Sequence, residues 1–513
     1  MDRRRFLSEI SRFALVCAGT PNVWRVTRRP QLASNPFTLG VASGDPTPTG
    51  AVIWTRLAPR PLEPEGGMAG QRTLLDWQVA EDEGFARVVQ RGRVTAAPEL
   101  GYSAHVDVAG LAPDRWYFYR FTMPAGPSPA GRLRTAPPPG GETPLRFGFA
   151  SCQHYEEGYF TAYAHLAREE IDLVTHLGDY IYEYGGREGR VRRYPTTEIQ
   201  TLEHYRIRYG ATKSDPDLMA AHARAPWVVT WDDHEVDNNY AGRVGENGME
   251  SEEQVLQRRA MGYQAWWENQ PVRVPRARSW AELSITRTID WGALARFWVL
   301  DGRQFRSDQA CGDGIRVVPC GDWNDPARSM LGAAQERWLT SGLAASRAGW
   351  QVLANQTALG AQIDSLPGEG RMYSMDSWSG YPAARDRLIA AIDRHARHRT
   401  VVITGDIHSS WVNEVRGRPD ASGPPVATEF IGTSISSGGD GSDLSTFWID
   451  PIQAENPQVK WQNGRRGYVV CEVSQAEWRA RYRTLPYVSR PGAPVATAST
   501  WVVERGVPGV RPA

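Results

Sequence analysis

The chain has 513 residues, with 58 Lys and Arg balancing 58 Asp and Glu. Arginines and acids are interspersed, which excludes the segregated basic face of a duplex nucleic-acid binder. No apolar run reaches the roughly 20 residues that span a bilayer, and the length exceeds what one core usually supports, so two domains and no transmembrane segment are expected.

The N-terminus reads Met1-Asp2-Arg3-Arg4-Arg5-Phe6-Leu7. Paired arginines, a spacer and Phe-Leu resemble a twin-arginine signal, the address of proteins exported already folded. Residues 1–36 are assigned to this signal and its lead-in, the expected partner is the twin-arginine export machinery, and the expected location is secreted or periplasmic. Val16-Cys17 is a poor lipidation site, so no lipid anchor is expected. Cys311 and Cys320 bracket the short loop CGDGIRVVPC, which suits a local disulfide in an oxidising compartment. Cys471, within the apolar run GYVVCEV, reads as a buried inert thiol. Cys152 is left over, which favours a ligand role.

Residues 37–134 alternate short apolar runs with turns, the pattern of an antiparallel β-sandwich. Few His, Cys or Asp cluster there, so this domain is read as accessory. The Pro/Gly stretch 135–144 reads as an extended linker. The catalytic domain is placed at 145–492 and a C-terminal tail at 493–513.

Two apolar runs open the second domain, 145–150 and 173–177, each with the length of a buried strand. Residues 159–169 between them read as a helix, so the unit is strand–helix–strand with a right-handed crossover. Ligands of such sheets gather beyond the carboxyl ends of the strands. Cys152 and Asp179, just past the two runs, should share that rim, with Tyr182 turning back to it. Further runs end in polar clusters: 227–231 before Asp232-Asp233-His234-Glu235 and 400–404 before Gly405-Asp406-Ile407-His408, while 426–431 leads to Gly432-Thr433-Ser434. The run 350–354 precedes Asn355-Gln356.

Phosphoester hydrolysis by two metals needs ions about 3.5–4 Å apart, a shared ligand and an activated hydroxide in line with the leaving oxygen. Asp179 is the natural bridge. Cys152, Tyr182 and His408 suit a ferric-type or other transition ion. Asp233 and Asp406 suit calcium, magnesium or manganese. His234 is a candidate proton donor or phosphate contact. Asn238 and Asn239, in the turn that follows, are candidates for a neutral oxygen ligand or a phosphate contact. His154, His165, His176, His204 and His222 read as structural or surface residues, and Asp232 and Glu235 as residues that orient neighbours.

The segments FASC, GDYIYE, WDDHE followed by NN, DGRQFRSDQACGD, GDIHSS and RRGYVVCEV together resemble the PhoD family of secreted alkaline phosphatases, and FTLGVASGDP resembles that family's N-terminal domain. The resemblance covers nearly the whole chain. It implies an α/β metallophosphoesterase core of the calcineurin-like type, two stacked sheets flanked by helices, after an Ig/fibronectin-like β-sandwich. It further implies Fe3+ with Ca2+, or Mn2+ or Mg2+ in place of calcium. The implied ligands are Cys152, Asp179, Tyr182, Asp233, Asp406, His408 and Asn238, and the implied catalytic residues are Asp233, His234 and Arg303. In the wider fold's motifs, Asp233 stands where asparagine is usual and Asp406 where histidine is usual; both changes favour a hard cation. Gly302, before Arg303, departs from the threonine often found there. The expected activity is in-line hydrolysis of phosphomonoesters or phosphodiesters by a metal-activated hydroxide. The expected substrates are nucleotides, sugar phosphates, lipids or teichoic-acid-type esters, and a monomer is expected. The alternatives are a phospholipase D-type phosphodiesterase of the same family and a surface binding protein that keeps the fold without the reaction.

Overall fold

A computed structural model describes residues 35–246, 248–360, 372–416, 423–443 and 456–513. The paired arginines and Cys17 fall outside the described residues. At the centre, Leu145–Ala150 and Leu173–His176 pair in parallel, and Leu173–His176 pairs in parallel with Trp227–Val229. Each is a short, fully or almost fully buried run of the kind that parallel sheets require. A second sheet sets Ala295–Val299, Trp350–Ala354, Thr400–Thr404 and Pro425–Ile431 side by side, also in parallel. The long strand Val459–Val473 belongs to both. Its first part pairs with Ser410–Arg416 of the second sheet and its last part with Leu145–Ala150 of the first.

The two sheets stack face to face. Phe147, Phe149, Leu173 and Val228 from one meet Phe297, Val352, Val401 and Phe430 from the other in a continuous core. Helices Leu202–Lys213, Pro216–Arg224 and Glu252–Asn269 pack on the outer side of the first sheet. Gly332–Ala345 and Pro382–Ala396 cover the second. Local sequence starts these helices: Ser251 and Gln254 form a reciprocal capping box, and Asp215 caps a helix that begins with Pro216. The helix expected over 159–169 is shorter, Thr161–Leu166, because the Tyr159 N–H donates to Val488 O and no side chain caps the start.

The N-terminal sandwich has one layer of Val41–Thr47, Gly50–Arg56 and Ser103–Val108 and another of Thr73–Ala80, Val88–Ala96, Trp116–Met123 and Gly131–Arg134. Val41, Ile53 and Ala104 interdigitate with Leu75, Tyr119, Phe121 and Leu133. The first layer continues into the catalytic sheet, where Gly44 pairs with Trp227. Only glycine fits: a Cβ at residue 44 would sit 2.2 Å from Pro271 O and 2.5 Å from Trp227 O.

Two sequence expectations need correction here. The stretch 135–144 does contribute to a core, since Ala136 is fully buried between the sheets and the Trp291 indole donates to Thr143 O at 3.1 Å. Residues 493–513 are an edge of the sheet rather than a tail, with Ala496–Glu504 paired to Glu477–Leu485 and Arg511–Pro512 paired beyond it. Only Trp501, Val502 and Val503 of that strand are buried, too short an apolar run to announce itself. Cys311 and Cys320 are bridged, and Cys471 is buried between the sheets.

Candidate metal centre

Beyond the carboxyl ends of the parallel strands, the chain turns sharply. Cys152, Asp179, Asn239, Asp406 and His408 all have left-handed backbones, with φ of 57°, 55°, 53°, 67° and 52°. Such conformations cost a non-glycine residue on the order of 1–3 kcal/mol and cluster where surrounding structure dictates them. Here they turn the chain beyond four strand ends toward one place.

Three groups of donor atoms result, each with its atoms within 4.8 Å of one another. Cys152, Asp179 and His408 form the first; Asp179, Asp233 and His234 the second; Asp232, Asp233 and Asp406 the third. Asp179 links the first two and Asp233 the last two. Tyr182 joins at the first group: its hydroxyl donates to Asp179 Oδ2 at 2.9 Å and lies 3.2 Å from His408 Nε2. The Ser437 hydroxyl is 2.7 Å from both the Tyr182 oxygen and Cys152 O.

Burial pushes the carboxyls of Asp179 and Asp232 well above the ordinary range and Asp406 up to about 7. Burial would raise Asp233 too, but Arg303 and His234 hold it below its ordinary value. Burial, reinforced by Asp179, raises the Cys152 thiol. His234 resists burial because Glu183, Asp233 and Asp179 keep its imidazolium favoured. Asp179 Oδ1, Asp232 Oδ2 and Asp233 Oδ1 are buried without a hydrogen-bond partner. Buried acceptors left unsatisfied cost about 1–3 kcal/mol each. Cations would satisfy all three oxygens, so this donor set fits a pair of ions: sulfur, phenol and imidazole on one side, carboxylates on the other.

The expected residues are brought together with one exception. Asn238 turns away, its amide donating to Glu246 Oε1 at 2.6 Å. Its neighbour Asn239 reaches the acids through its backbone instead, giving its main-chain N–H to Asp233 Oδ2 at 2.7 Å. The turn of the chain after Glu235 decides which asparagine points inward, and a bare Asn-Asn pair carries no sign of it. Arg303 is wholly buried among carboxylates. It pairs with Asp232, with both oxygens of Asp376 at 2.8 Å and with Asp406 at 3.1 Å, and it lies 3.4 Å from Asp233 Oδ1. The Gly302 N–H donates to Gln356 Oε1 at 3.0 Å, and a Cβ at residue 302 would lie 3.0 Å from that same oxygen.

Several supporting residues escaped the sequence reading. Glu183 holds His234 Nδ1 at 2.8 Å. Asp376 anchors Arg303 and Arg306. Arg466 ties His408 O to Ser437 O at 2.7 and 2.5 Å. His154, taken as structural, is buried with its ring 4.4 Å from that of Tyr182. Glu183 ends the GDYIYE segment, Arg466 lies in RRGYVVCEV and Ser437 lies in the Ser-rich run after 426–431, whereas Asp376 falls in none of the quoted segments.

Stacked sheets with clusters of metal-ligating side chains at their rim define a metallophosphoesterase. The fold alone is shared with a purple acid phosphatase from yellow lupin, 13% identical with a TM-score of 0.54 over 91% of this chain and 74% of that one. Residues 147–482 match the PhoD-like phosphatase family and residues 24–137 its N-terminal domain. The chain is 44% identical to alkaline phosphatase D of Bacillus subtilis (strain 168), over 99% of its own length and 89% of that protein. It also superposes on a solved structure of PhoD with a TM-score of 0.90 at 45% identity, covering 94% of this chain and 93% of that one. The chain therefore belongs to the PhoD-like phosphatase family.

Proposed function

We propose that this protein is an exported, metal-dependent phosphoric ester hydrolase that cleaves phosphomonoesters or phosphodiesters by in-line displacement without a covalent enzyme intermediate. The observation that carries this reading is the chain of three donor groups linked through Asp179 and Asp233. Cys152, Tyr182, His408 and Asp179 would hold Fe3+, and Asp179, Asp233 and Asp406 would hold Ca2+, with Mn2+ or Mg2+ as substitutes. Paired ions supply Lewis acidity toward a phosphoryl oxygen and lower the pKa of water.

The protein's own residues do the rest. Glu183 fixes His234 through Nδ1, leaving Nε2 to hydrogen-bond the phosphate or protonate the departing oxygen. Arg303 sets the spacing of Asp232 and Asp406 and offsets their mutual repulsion. Ser437 orients the Tyr182 phenol. Export is supported by the Cys311–Cys320 bridge, which persists in oxidising compartments. Among the described residues no helix is long and apolar enough to cross a membrane.

Elemental analysis of purified protein, paired with assays of a monoester, a diester and phosphatidylcholine, tests the reading. Iron with calcium and turnover of at least one ester are expected, and Cys152→Ala should lose iron selectively. Asp179→Asn should abolish turnover with the fold retained; full activity in that variant would remove Asp179 from its bridging role.

A further inference from the structure

The disulfide-closed loop between Cys311 and Cys320 reaches the acid side of the centre. Cys311, Gly312, Asp313 and Gly314 are four successive residues with left-handed backbones, φ 60°, 73°, 62° and 72°. For Cys311 and Asp313 that conformation is unfavourable and needs outside support. Support comes from two sides. The bridge to Cys320 closes the loop, and Ile315–Val317 pairs with Met372–Ser374, the strand that leads to Asp376.

So held, the Asp313 carboxylate accepts the Asn239 side-chain amide, Nδ2 to Oδ2 at 2.8 Å. The carbonyl of Asn239 is fixed as well, accepting from Arg306 at 2.7 Å and Gln309 at 2.5 Å. Its backbone N–H donates to Asp233 Oδ2, and the other oxygen of Asp233 is one of the buried atoms lacking a hydrogen-bond partner. Two hydrogen bonds, joined through the covalent frame of Asn239, thus connect the disulfide loop to a carboxylate shared by two of the donor groups. By engaging Nδ2, Asp313 also fixes which way the Asn239 amide faces.

We propose that Asp313, presented by the Cys311–Cys320 loop, is a positioning residue for the hard-cation side of the centre, acting through Asn239 on Asp233. The inference rests on the phosphohydrolase reading above. Outer partners of metal ligands commonly matter by about 10–100-fold in affinity or activity. They do so by orienting a ligand rather than touching the ion.

The test is calcium titration of purified full-length wild type, Asp313→Ala, Asp313→Asn and the double variant Cys311→Ser/Cys320→Ser, with bound calcium and iron measured by elemental analysis. Asp313→Ala should weaken calcium retention by about 10–100-fold while iron stays at the wild-type level. Asp313→Asn keeps an acceptor for Asn239 and should restore most of the loss, and the double cysteine variant should follow Asp313→Ala. Wild-type calcium affinity in Asp313→Ala, or equal loss of calcium and iron, overturns the inference. Wild-type protein that takes up no divalent cation overturns the phosphohydrolase reading itself, and this inference with it.

Discussion

Glu235 binds the backbone of Asp179: its Oε2 accepts the Asp179 N–H at 3.1 Å, across 56 positions of sequence. The same carboxylate takes the Asp232 N–H at 2.8 Å and the Tyr180 N–H at 2.6 Å. One buried side chain therefore staples together the two strand ends that present the central acids. Removing it strands three buried donors, at about 1–3 kcal/mol for each N–H left without an acceptor. Glu235→Ala should lose several kcal/mol of stability, and Glu235→Gln, which keeps one acceptor oxygen, should fall between. Denaturant titration of the three proteins checks the order; an equal midpoint for wild type and Glu235→Ala would refute the staple.

Arg303 offers a second test. It is wholly buried, and its charge is sustained against burial by Asp232, Asp233, Asp376 and Asp406. Breaking a buried ion network by deleting one partner typically costs about 3–5 kcal/mol, because the remaining charges stay uncompensated. Arg303→Met should show a loss of that size in unfolding experiments, and added calcium should recover part of it by neutralising the same acids. A role confined to substrate contact predicts a changed KM with the unfolding midpoint unmoved.

The rim was legible because its strands are apolar and end abruptly. The runs 145–150, 350–354 and 400–404 coincide with the observed strands, and Cys152, Asp179, Asp406 and His408 follow strand ends directly. What stayed hidden lies at a distance in sequence. Asp376 meets Arg303 across 73 positions, and Ser437 meets Tyr182 across 255; neither contact leaves a local pattern. The choice between Asn238 and Asn239 depends on the phase of one turn. The continuity of the sandwich with the catalytic sheet depends on a single residue pair, Gly44 and Trp227.

That continuity carries a prediction of its own. The sandwich also donates the Trp54 indole to Glu268 O at 2.9 Å and pairs Asp45 with Arg287 at 2.9 Å. Deleting the residues before Leu145 would uncover the edge of Trp227–Val229 and the apolar surface beneath it, while leaving every expected metal ligand in place. Exposed strand edges seed association. The truncated protein should aggregate in size-exclusion chromatography, whereas a monodisperse truncated protein would show the sandwich to be dispensable for folding.

The acids at the centre also set how the metal-free protein responds to pH. Burial raises Asp179 and Asp232 well above the ordinary range, and Glu235 and Asp406 to about 7. His234 is raised as well, through Glu183, Asp233 and Asp179 acting against burial. Groups raised on folding stabilise the native state while protonated, and that contribution is lost as pH climbs through their folded values. Below pH 7 three other buried histidines act oppositely: burial depresses His154 to about 2 and His176 and His408 to about 3, so their contribution grows as pH rises toward the ordinary histidine value. Above pH 7 that opposition is spent. Between pH 7 and pH 9 Lys213, depressed by burial and by Arg56, still favours folding as pH increases, while Arg56 and Arg466, lowered by burial to about 10, add their share above that window. Metal-stripped protein should therefore lose Tm between pH 7 and pH 9. Cations bind the deprotonated ligands, so loaded protein should resist that loss, and the Tm gap between loaded and stripped samples should widen with pH. Parallel thermal melts of chelator-treated and calcium- and iron-loaded protein measure it; a gap that narrows from pH 7 to pH 9 would contradict the assignment of these acids to cations.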